Sequence, residues 1–122
     1  MANRITCLCI DVTDADLVSR FWCEVLGWQE TERDEEVVRI QESPEARFAL
    51  DFVIVPDGPK RAKNRLHLDV NPTDRDQAAE LERLLALGAR PTDIGQSDEV
   101  SWHVLADPEG NEFCLLRSRV EP

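Results

Sequence analysis

Two short stretches of the chain repeat one another and differ at a position where a side chain can do chemistry. NRITCLCIDVTD spans residues 3–14, and NRLHLDVNPTD spans residues 64–74. With an offset of 60 residues, His67 stands where the first copy has Cys7. An imidazole can orient a ligand or act as an acid or base near neutral pH. A cysteine on a buried strand is more often a small hydrophobic side chain.

The alternation of polar and apolar residues in each copy predicts a β-strand and shows which side chains share a face. Leu66 and Leu68 are expected to pack under a helix, which puts His67 on the opposite face. Leu50 and Phe52 are expected to pack under a helix in the same way, which puts the carboxylate of Asp51 on the opposite face. His67 and Asp51 are therefore candidate ligand-binding residues. The other interpretation of His67 is a structural imidazole satisfied by Asp69 or by a backbone group.

Each copy predicts the same series of elements: a strand, an amphipathic helix and three shorter strands. Thr13 and Thr73 are expected to cap the two helices, and Gly27 and Gly88 to end them with positive φ. The predicted apolar faces contain Leu17, Phe21, Val25 and Leu26 in the first helix and Ala78, Leu81, Leu84 and Leu85 in the second.

The repeat predicts an α+β fold of tandem βαβββ modules. The modules cover residues 1–58 and 63–122 of a single domain, and the Pro- and Gly-rich stretch 55–64 links them. DPEGN, at 107–111, predicts a tight hairpin between the last two strands. Two such modules can bury their remaining sheet faces by curving toward each other, which predicts a mixed sheet around a cleft.

Three further residues near the end of the chain are candidates for the wall of that cleft. Trp102 and His103 are adjacent on a predicted strand, so one of them should face the cleft. Trp102 would supply an aromatic surface, and His103 a second titratable group. Glu112 shares the parity of Cys114 and could supply a carboxylate. The other two tryptophans, at positions 22 and 28, are expected in the core.

Composition and charge exclude several classes of partner. The chain has 122 residues, with 25 acidic against 14 basic side chains and a formal net charge of −11. This charge repels nucleic acid and anionic membrane surfaces and favours a cationic ligand. No apolar run is long enough to span a membrane. The expected location is the cytoplasm, with the four cysteines reduced.

Taken in order, the motifs resemble the vicinal oxygen chelate superfamily of glyoxalases, bleomycin resistance proteins and dioxygenases, and within it the glyoxalase-like domains. The stretches that carry the resemblance are CLCIDVTD, FWCEVLGW, NRLHLDV, LLALGAR and LADPEGNEFCLL. Together they cover nearly the whole chain.

The resemblance implies a set of four metal-ligand positions, which in this sequence are Cys7, Asp51, His67 and Cys114. Catalytic members of the superfamily usually present His and Glu there, a donor set suited to nickel, manganese or iron. Two thiols, an imidazole and a carboxylate would instead select zinc in closed tetrahedral coordination.

Two functional hypotheses follow from the resemblance. The favoured one is a protein without a metal cofactor that binds a small organic molecule in its cleft, with His67 as the residue that orients it or acts on it. The alternative is a metal-dependent enzyme of the lyase, isomerase or dioxygenase type. A homodimer is expected in either case, because small members of the superfamily often complete their clefts by pairing.

Overall fold

The computed structural model describes residues 2–56, 62–92 and 101–122, and the chain divides into two compact units, 1–59 and 60–122. The elements are β1 (Cys7–Val12), α1 (Ala15–Leu26), β2 (Gln29–Arg33), β3 (Val37–Gln41), β4 (Ala49–Ile54), β5 (Leu68–Val70), α2 (Gln77–Leu87), β6 (Arg90–Pro91), β7 (His103–Ala106) and β8 (Glu112–Leu115). The series of strand, helix and three strands thus occurs twice, as the repeat predicts.

The first unit contains a four-stranded sheet in the order β1-β4-β3-β2. β1 runs parallel to β4, and the other two pairings are antiparallel. α1 contacts β3 and β4, where alternating side chains supply the apolar face of the sheet. The buried strand residues are Val12, Val38, Ile40, Ala49, Leu50, Asp51 and Phe52. Asp51 is the one acidic member of this set, so its surroundings bear directly on the site.

The second unit repeats the arrangement with the order β5-β8-β7-β6. β5 is parallel to β8, and the β8–β7 and β7–β6 pairings are antiparallel. The hairpin between β7 and β8 forms at DPEGN as predicted. The carboxylate of Asp107, fully buried, accepts hydrogen bonds from the backbone N–H groups of Glu109 and Asn111. Leu66 was expected to pack under the helix, but it precedes β5 and is 77% exposed.

Both helices begin at an aspartate. Asp14 caps α1 and Asp76 caps α2, and each carboxylate accepts a hydrogen bond from the backbone N–H three residues later. The predicted caps at Thr13 and Thr73 are therefore wrong. A carboxylate next to the positive end of a helix gains from the helix dipole as well as from the hydrogen bond, which a hydroxyl does not.

Both helices end at a glycine in the left-handed region, as predicted. Gly27 has φ 69° and Gly88 has φ 118°. The backbone N–H of Gly27 donates to the carbonyl of Cys23, and that of Gly88 donates to the carbonyls of Leu84 and Leu85. Because a Cβ atom disfavours positive φ, glycine at these two positions ends each helix with little strain.

The buried faces of the helices differ in detail from the predicted ones. α1 buries Val18, Phe21 and Trp22, and the two aromatic rings meet edge to face with centroids 5.4 Å apart. Trp22 lies in the core as predicted, whereas Trp28, also expected there, is only half-buried. Leu17, in contrast, is 43% exposed. The buried stripe of α1 is thus rotated by about one residue from the predicted one.

In α2 the predicted apolar face is only partly buried. Leu84 is fully buried, but Ala78 and Leu85 are exposed. The other buried residue is Glu80, whose carboxylate accepts two hydrogen bonds from Arg83, at 2.7 and 2.9 Å. No helix in the described ranges is long and apolar enough to cross a membrane.

Candidate functional site

The first unit brings together two thiols and a carboxylate, here called the first cluster: Cys7, Cys9 and Asp51. The cysteines are two residues apart on β1, so their side chains share a face, and β4 places Asp51 opposite Cys9. The two Sγ atoms are 3.9 Å apart, and a ligand atom from each of the three residues lies within 4.8 Å of the others.

An arginine from β3 binds the carboxylate of this cluster. Arg39 lies opposite Asp51 in the β3–β4 register, and its Nε and Nη2 donate to the two carboxylate oxygens at 2.7 and 2.9 Å. These bonds hold the pKa of Asp51 below its ordinary value of 3.8, although burial works in the opposite direction. Asp51 is therefore a carboxylate with both oxygens already engaged.

The surroundings of Cys7 in the first cluster favour the protonated form of its thiol. The pKa of Cys7 is raised, chiefly by its hydrogen bond with Cys9 and then by burial and by the negative charge of Asp51. A hollow of about 180 Å³ lies beside the cluster. Its lining is mostly charged and consists of Glu32, Arg33, Asp34, Val37, Arg39 and Asp51.

The corresponding positions of the second unit form the second cluster: His67, Asp69 and Cys114. Asp69 lies opposite Cys114 in the β5–β8 register, as Cys9 lies opposite Asp51 in the first unit. Ligand atoms from the three residues again lie within 4.8 Å of one another. Nε2 of His67 is 3.2 Å from the nearer oxygen of Asp69.

Cys114 lies deepest in the second cluster. Its side chain is buried, whereas His67 and Asp69 are about half exposed. Burial raises the pKa of the Cys114 thiol, and the charge of Asp69 and a hydrogen bond to it act in the same direction. The cluster therefore presents a neutral thiol beneath an imidazole and a carboxylate that face solvent.

A cavity of about 430 Å³ opens above the second cluster. Its lining consists of Lys63, Asn64, His67, Asp69, Trp102, Val104, Glu112, Cys114 and Leu116. Val104 lies opposite Cys114 in the β7–β8 register, the position that Arg39 holds opposite Asp51. Because valine is short and apolar, the sheet face that arginine fills in the first unit stays open in the second.

The rim of this cavity carries charge of both signs. Lys63 forms an ion pair with Glu112 at 2.5 Å, and Asp69 is next to His67. Trp102 supplies an aromatic wall that is 40% exposed. Its neighbour His103 is also exposed, but its side chain does not line the cavity.

The predicted site residues thus fall into two sets. The first unit places Cys7 with Asp51, and the second unit places His67, Trp102, Glu112 and Cys114 around one cavity. Of the pair that the sequence left open, Trp102 lines this cavity.

The sequence interpretation did not name Cys9 or Arg39, and it named Asp69 only as a structural partner of His67. Cys9 and Asp69 each lie two positions after a predicted residue, so the same alternation could have placed both in the site. Arg39 is the one charged residue between two buried positions of β3, a pattern that marks a side chain on the opposite sheet face.

The fit of a metal ion differs between the clusters. In the first cluster, Arg39 holds both oxygens of Asp51 and places a positive charge next to the thiols, so a divalent cation would have to displace it. The second cluster has nitrogen, oxygen and sulfur donors close together, a set that suits zinc. Of the four residues implied by the resemblance, Cys7 and Asp51 therefore lie where an arginine already binds the carboxylate, whereas His67 and Cys114 lie in a cluster whose donors suit zinc.

A family model described as the glyoxalase-like domain matches residues 7–116 of the chain. Among curated protein sequences, none matches significantly.

Solved structures share the fold at low sequence identity. The chain is similar to a glyoxalase-related enzyme from Fulvimarina pelagi, with 19% identity, a TM-score of 0.66, and coverage of 94% of this chain and 88% of that one. It is also similar to a glyoxalase/bleomycin resistance protein/dioxygenase family enzyme from Burkholderia phytofirmans PsJN, with 19% identity, a TM-score of 0.66, and coverage of 90% and 94%.

A third structure is a mutant of the fosfomycin resistance protein FosX from Listeria monocytogenes, complexed with Mn(II) and a dihydroxypropylphosphonic acid. Its TM-score is 0.71 at 14% identity, with coverage of 95% of this chain and 90% of that one. At these identities the likeness of all three structures shows the fold alone.

Proposed function

The chain belongs to the glyoxalase-like domain family of the vicinal oxygen chelate superfamily, and from this premise we propose that it binds a small organic molecule in the cavity of its second unit without a catalytic metal. The observation that carries the proposal is the cavity itself. Its volume of about 430 Å³ lies within the range of small-molecule sites. Its wall combines apolar side chains with a few polar groups, which is the usual composition of such sites.

The apolar part of the wall favours a planar ligand. Trp102 presents its indole to the cavity, while Val104, Cys114 and Leu116 form the floor. An aromatic ring stacked on the indole would bury apolar surface on both partners. Paired aromatic rings gain about 0.5–1.5 kcal/mol of stabilisation beyond the effect of the buried area.

The charges around the cavity favour a cation. Asp69 and Glu112 carry negative charge, and Lys63 balances only one of them. The chain as a whole carries a formal charge of −11, which raises the local concentration of cations. A cationic group over Trp102 would gain a cation–π interaction in addition to its attraction to Asp69.

His67 is the polar group best placed to orient the ligand. Its imidazole lies at the mouth of the cavity with Nε2 next to Asp69, which leaves Nδ1 to bond a ligand. A hydrogen bond from Nε2–H to Asp69 would fix the tautomer and make Nδ1 an acceptor.

The test compares two probes of the same shape and different charge. Calorimetric titration of the protein should show binding of N-methylquinolinium and much weaker binding of methylnaphthalene. Trp102→Ala should weaken binding of the cation about tenfold, through loss of stacking and of the cation–π interaction. Equal binding of both probes, or no effect of Trp102→Ala, would contradict the proposed ligand class.

His103 is the matched control for His67, because both side chains are exposed but only that of His67 lines the cavity. For a probe that can donate to Nδ1, such as the 6-amino derivative of N-methylquinolinium, His67→Ala should weaken binding by about tenfold, the cost of one hydrogen bond. His103→Ala should leave the affinity unchanged. If the two variants behave alike, or if His67→Ala loses stability at unchanged affinity, the imidazole is structural.

A metal-dependent enzyme of the lyase, isomerase or dioxygenase type is the second candidate, and the second cluster is the observation that favours it. His67, Asp69 and Cys114 would hold a divalent ion, zinc by donor type or iron, manganese or nickel by family resemblance. A bound ion would act as a Lewis acid toward ligand oxygens.

Elemental analysis of protein purified without an affinity tag separates the two candidates. Stoichiometric metal that is lost in both His67→Ala and Cys114→Ser would contradict the metal-free proposal and favour the metal-dependent enzyme. Trace metal only would support the metal-free protein.

A further inference from the structure

The thiols of the first cluster form a pair that the proposed function does not use. Cys7 and Cys9 project from the same face of β1 with Sγ atoms 3.9 Å apart, and neither is in a disulfide. Cys7 is half-buried and Cys9 is exposed, so a small ion in solution can reach both sulfur atoms.

Arg39 decides which ions this pair can accept. Because its guanidinium holds both oxygens of Asp51, the only oxygen donor of the first cluster is already bound. Ions that need oxygen ligands, such as magnesium or manganese, therefore find no site here. Zinc in a structural site requires four ligands, and the cluster offers only the two sulfur atoms without breaking the ion pair.

A soft ion that is satisfied by two sulfur donors fits this arrangement. Among the first-row metals, thiolate ligands select Cu(I), a closed-shell ion stable in two-coordinate geometry. A complex of two thiolates with Cu(I) carries one net negative charge. The guanidinium of Arg39 is close enough to Cys7 to interact with it electrostatically and would offset part of that charge.

We propose that Cys7 and Cys9 bind one Cu(I) ion as a pair of thiolates, beside the closed Arg39–Asp51 ion pair. Two S–H bonds break and two S–Cu bonds form, and both protons pass to solvent. The oxidation state of the copper does not change. The proposal is independent of ligand binding in the second unit, since it uses no residue of the second cluster.

The experiment is an anaerobic titration of the reduced protein with Cu(I) held by bicinchoninate, a chelator whose Cu(I) complex is coloured and loses its colour when the protein removes the ion. The wild-type protein should remove one equivalent. Cys7→Ser and Cys9→Ser should each weaken copper binding by about a hundredfold or more, since a removed ligand costs at least as much as a removed supporting group.

The other two cysteines supply the controls. Cys23→Ser, on α1, and Cys114→Ser, in the second cluster, should each retain the full equivalent of Cu(I). Loss of binding in Cys114→Ser, or full binding in both Cys7→Ser and Cys9→Ser, would overturn the proposal. So would failure of the wild-type protein to compete with the chelator.

A spectroscopic measurement keeps the proposal falsifiable if the serine variants fail to fold. X-ray absorption at the copper edge of the wild-type complex should show two sulfur neighbours and no nitrogen or oxygen neighbour. A nitrogen neighbour would place the copper on a histidine, and both histidines lie in the second unit. An equal affinity for Zn(II) at the same thiols would show that the pair does not select a soft monovalent ion.

Discussion

The two units place corresponding strands around sites of opposite character. In the first unit, Arg39 crosses the sheet face and binds Asp51 through two hydrogen bonds. In the second, Val104 stands at the corresponding position opposite Cys114, and a cavity of about 430 Å³ lies over the sheet. One residue on the third strand of each unit therefore decides whether the face is filled by an ion pair or left open to a ligand.

The thiol and the carboxylate beside these residues also change places between the two units. In the first unit the thiol of Cys9 lies opposite the carboxylate of Asp51, and in the second unit the carboxylate of Asp69 lies opposite the thiol of Cys114. The backbone register is the same in both. The two units thus share the strand pairing and differ in the side chains that it positions.

The largest effect is expected when the second unit is made to resemble the first. Val104→Arg should place a guanidinium next to Asp69 and fill the cavity, so binding of the N-methylquinolinium probe should fall by about a hundredfold or more. Calorimetric titration measures the loss. Val104→Leu, which stays apolar, is the matched control and should bind within a few fold of the wild-type protein. Undiminished binding by a folded Val104→Arg variant would place the ligand elsewhere.

The reverse change tests the ion pair of the first unit. Arg39→Val leaves a buried carboxylate without its cation and should lower the free energy of unfolding by about 2 kcal/mol. This is less than the roughly 3–5 kcal/mol expected when a fully buried ion pair is broken, because the side chain of Arg39 is itself 36% exposed. Denaturant unfolding measures it. The double variant Arg39→Val/Asp51→Leu should recover much of the loss, since no unpaired charge remains.

Arg33→Val is the control for this pair, because Arg33 forms its ion pairs with Asp16 and Glu30 at the surface. Its removal should change stability little. If Arg33→Val and Arg39→Val cost the same, the ion pair with Asp51 has no special weight.

The same ion pair predicts how the stability difference depends on pH. Because the pKa of Asp51 is lowered in the folded protein, its contribution is fully present above the ordinary carboxyl value of 3.8 and is lost as pH falls toward the folded value. The difference in unfolding free energy between wild type and Arg39→Val should thus be constant near neutral pH and shrink below 3.8. A difference that grows with acidity would contradict the assignment.

Losses of stability no larger than that of Arg39→Val are expected where the units are most alike, at the two glycines that end the helices. Gly27→Ala should cost about 1 kcal/mol, the penalty for a Cβ atom in the left-handed region. Gly88→Ala should cost up to about 2 kcal/mol, because its φ of 118° is farther from the values that alanine tolerates. Thermal unfolding of both variants provides the ranking. Equal costs would show that positive φ alone, not its value, sets the penalty.

Much of the fold could be read from the repeat, because alternation and helix-end signals are local properties of the sequence. The repeated strands, the helix ends at Gly27 and Gly88 and the hairpin at Asp107 all appear as expected. The buried stripes of the helices could not be read as well, since Leu17 and Val18 are both apolar. Which of them is buried depends on how α1 rests on β3 and β4.

The site shows the same division. The sequence interpretation placed Trp102 and His103 on one strand with their side chains on opposite faces. In the structure β7 begins at His103 and Trp102 precedes it, so which of the two side chains meets the open space depends on the packing of the unit. Arg39 was overlooked because it is 12 residues from Asp51 in sequence, and only strand pairing brings the two side chains together.

The sequence by itself determined the two βαβββ copies, the helix ends at Gly27 and Gly88 and the strand parity of Cys7, Asp51 and Cys114, because strand alternation and helix punctuation operate over a few residues. His67, which the sequence places on a strand, precedes β5. The tertiary structure decided what those positions can do. Pairing of β3 with β4 brings a guanidinium onto one carboxylate, and pairing of β7 with β8 leaves a valine over one thiol. Charge and volume act between residues that are distant in the chain, so the ion pair and the cavity exist only once the sheets have formed.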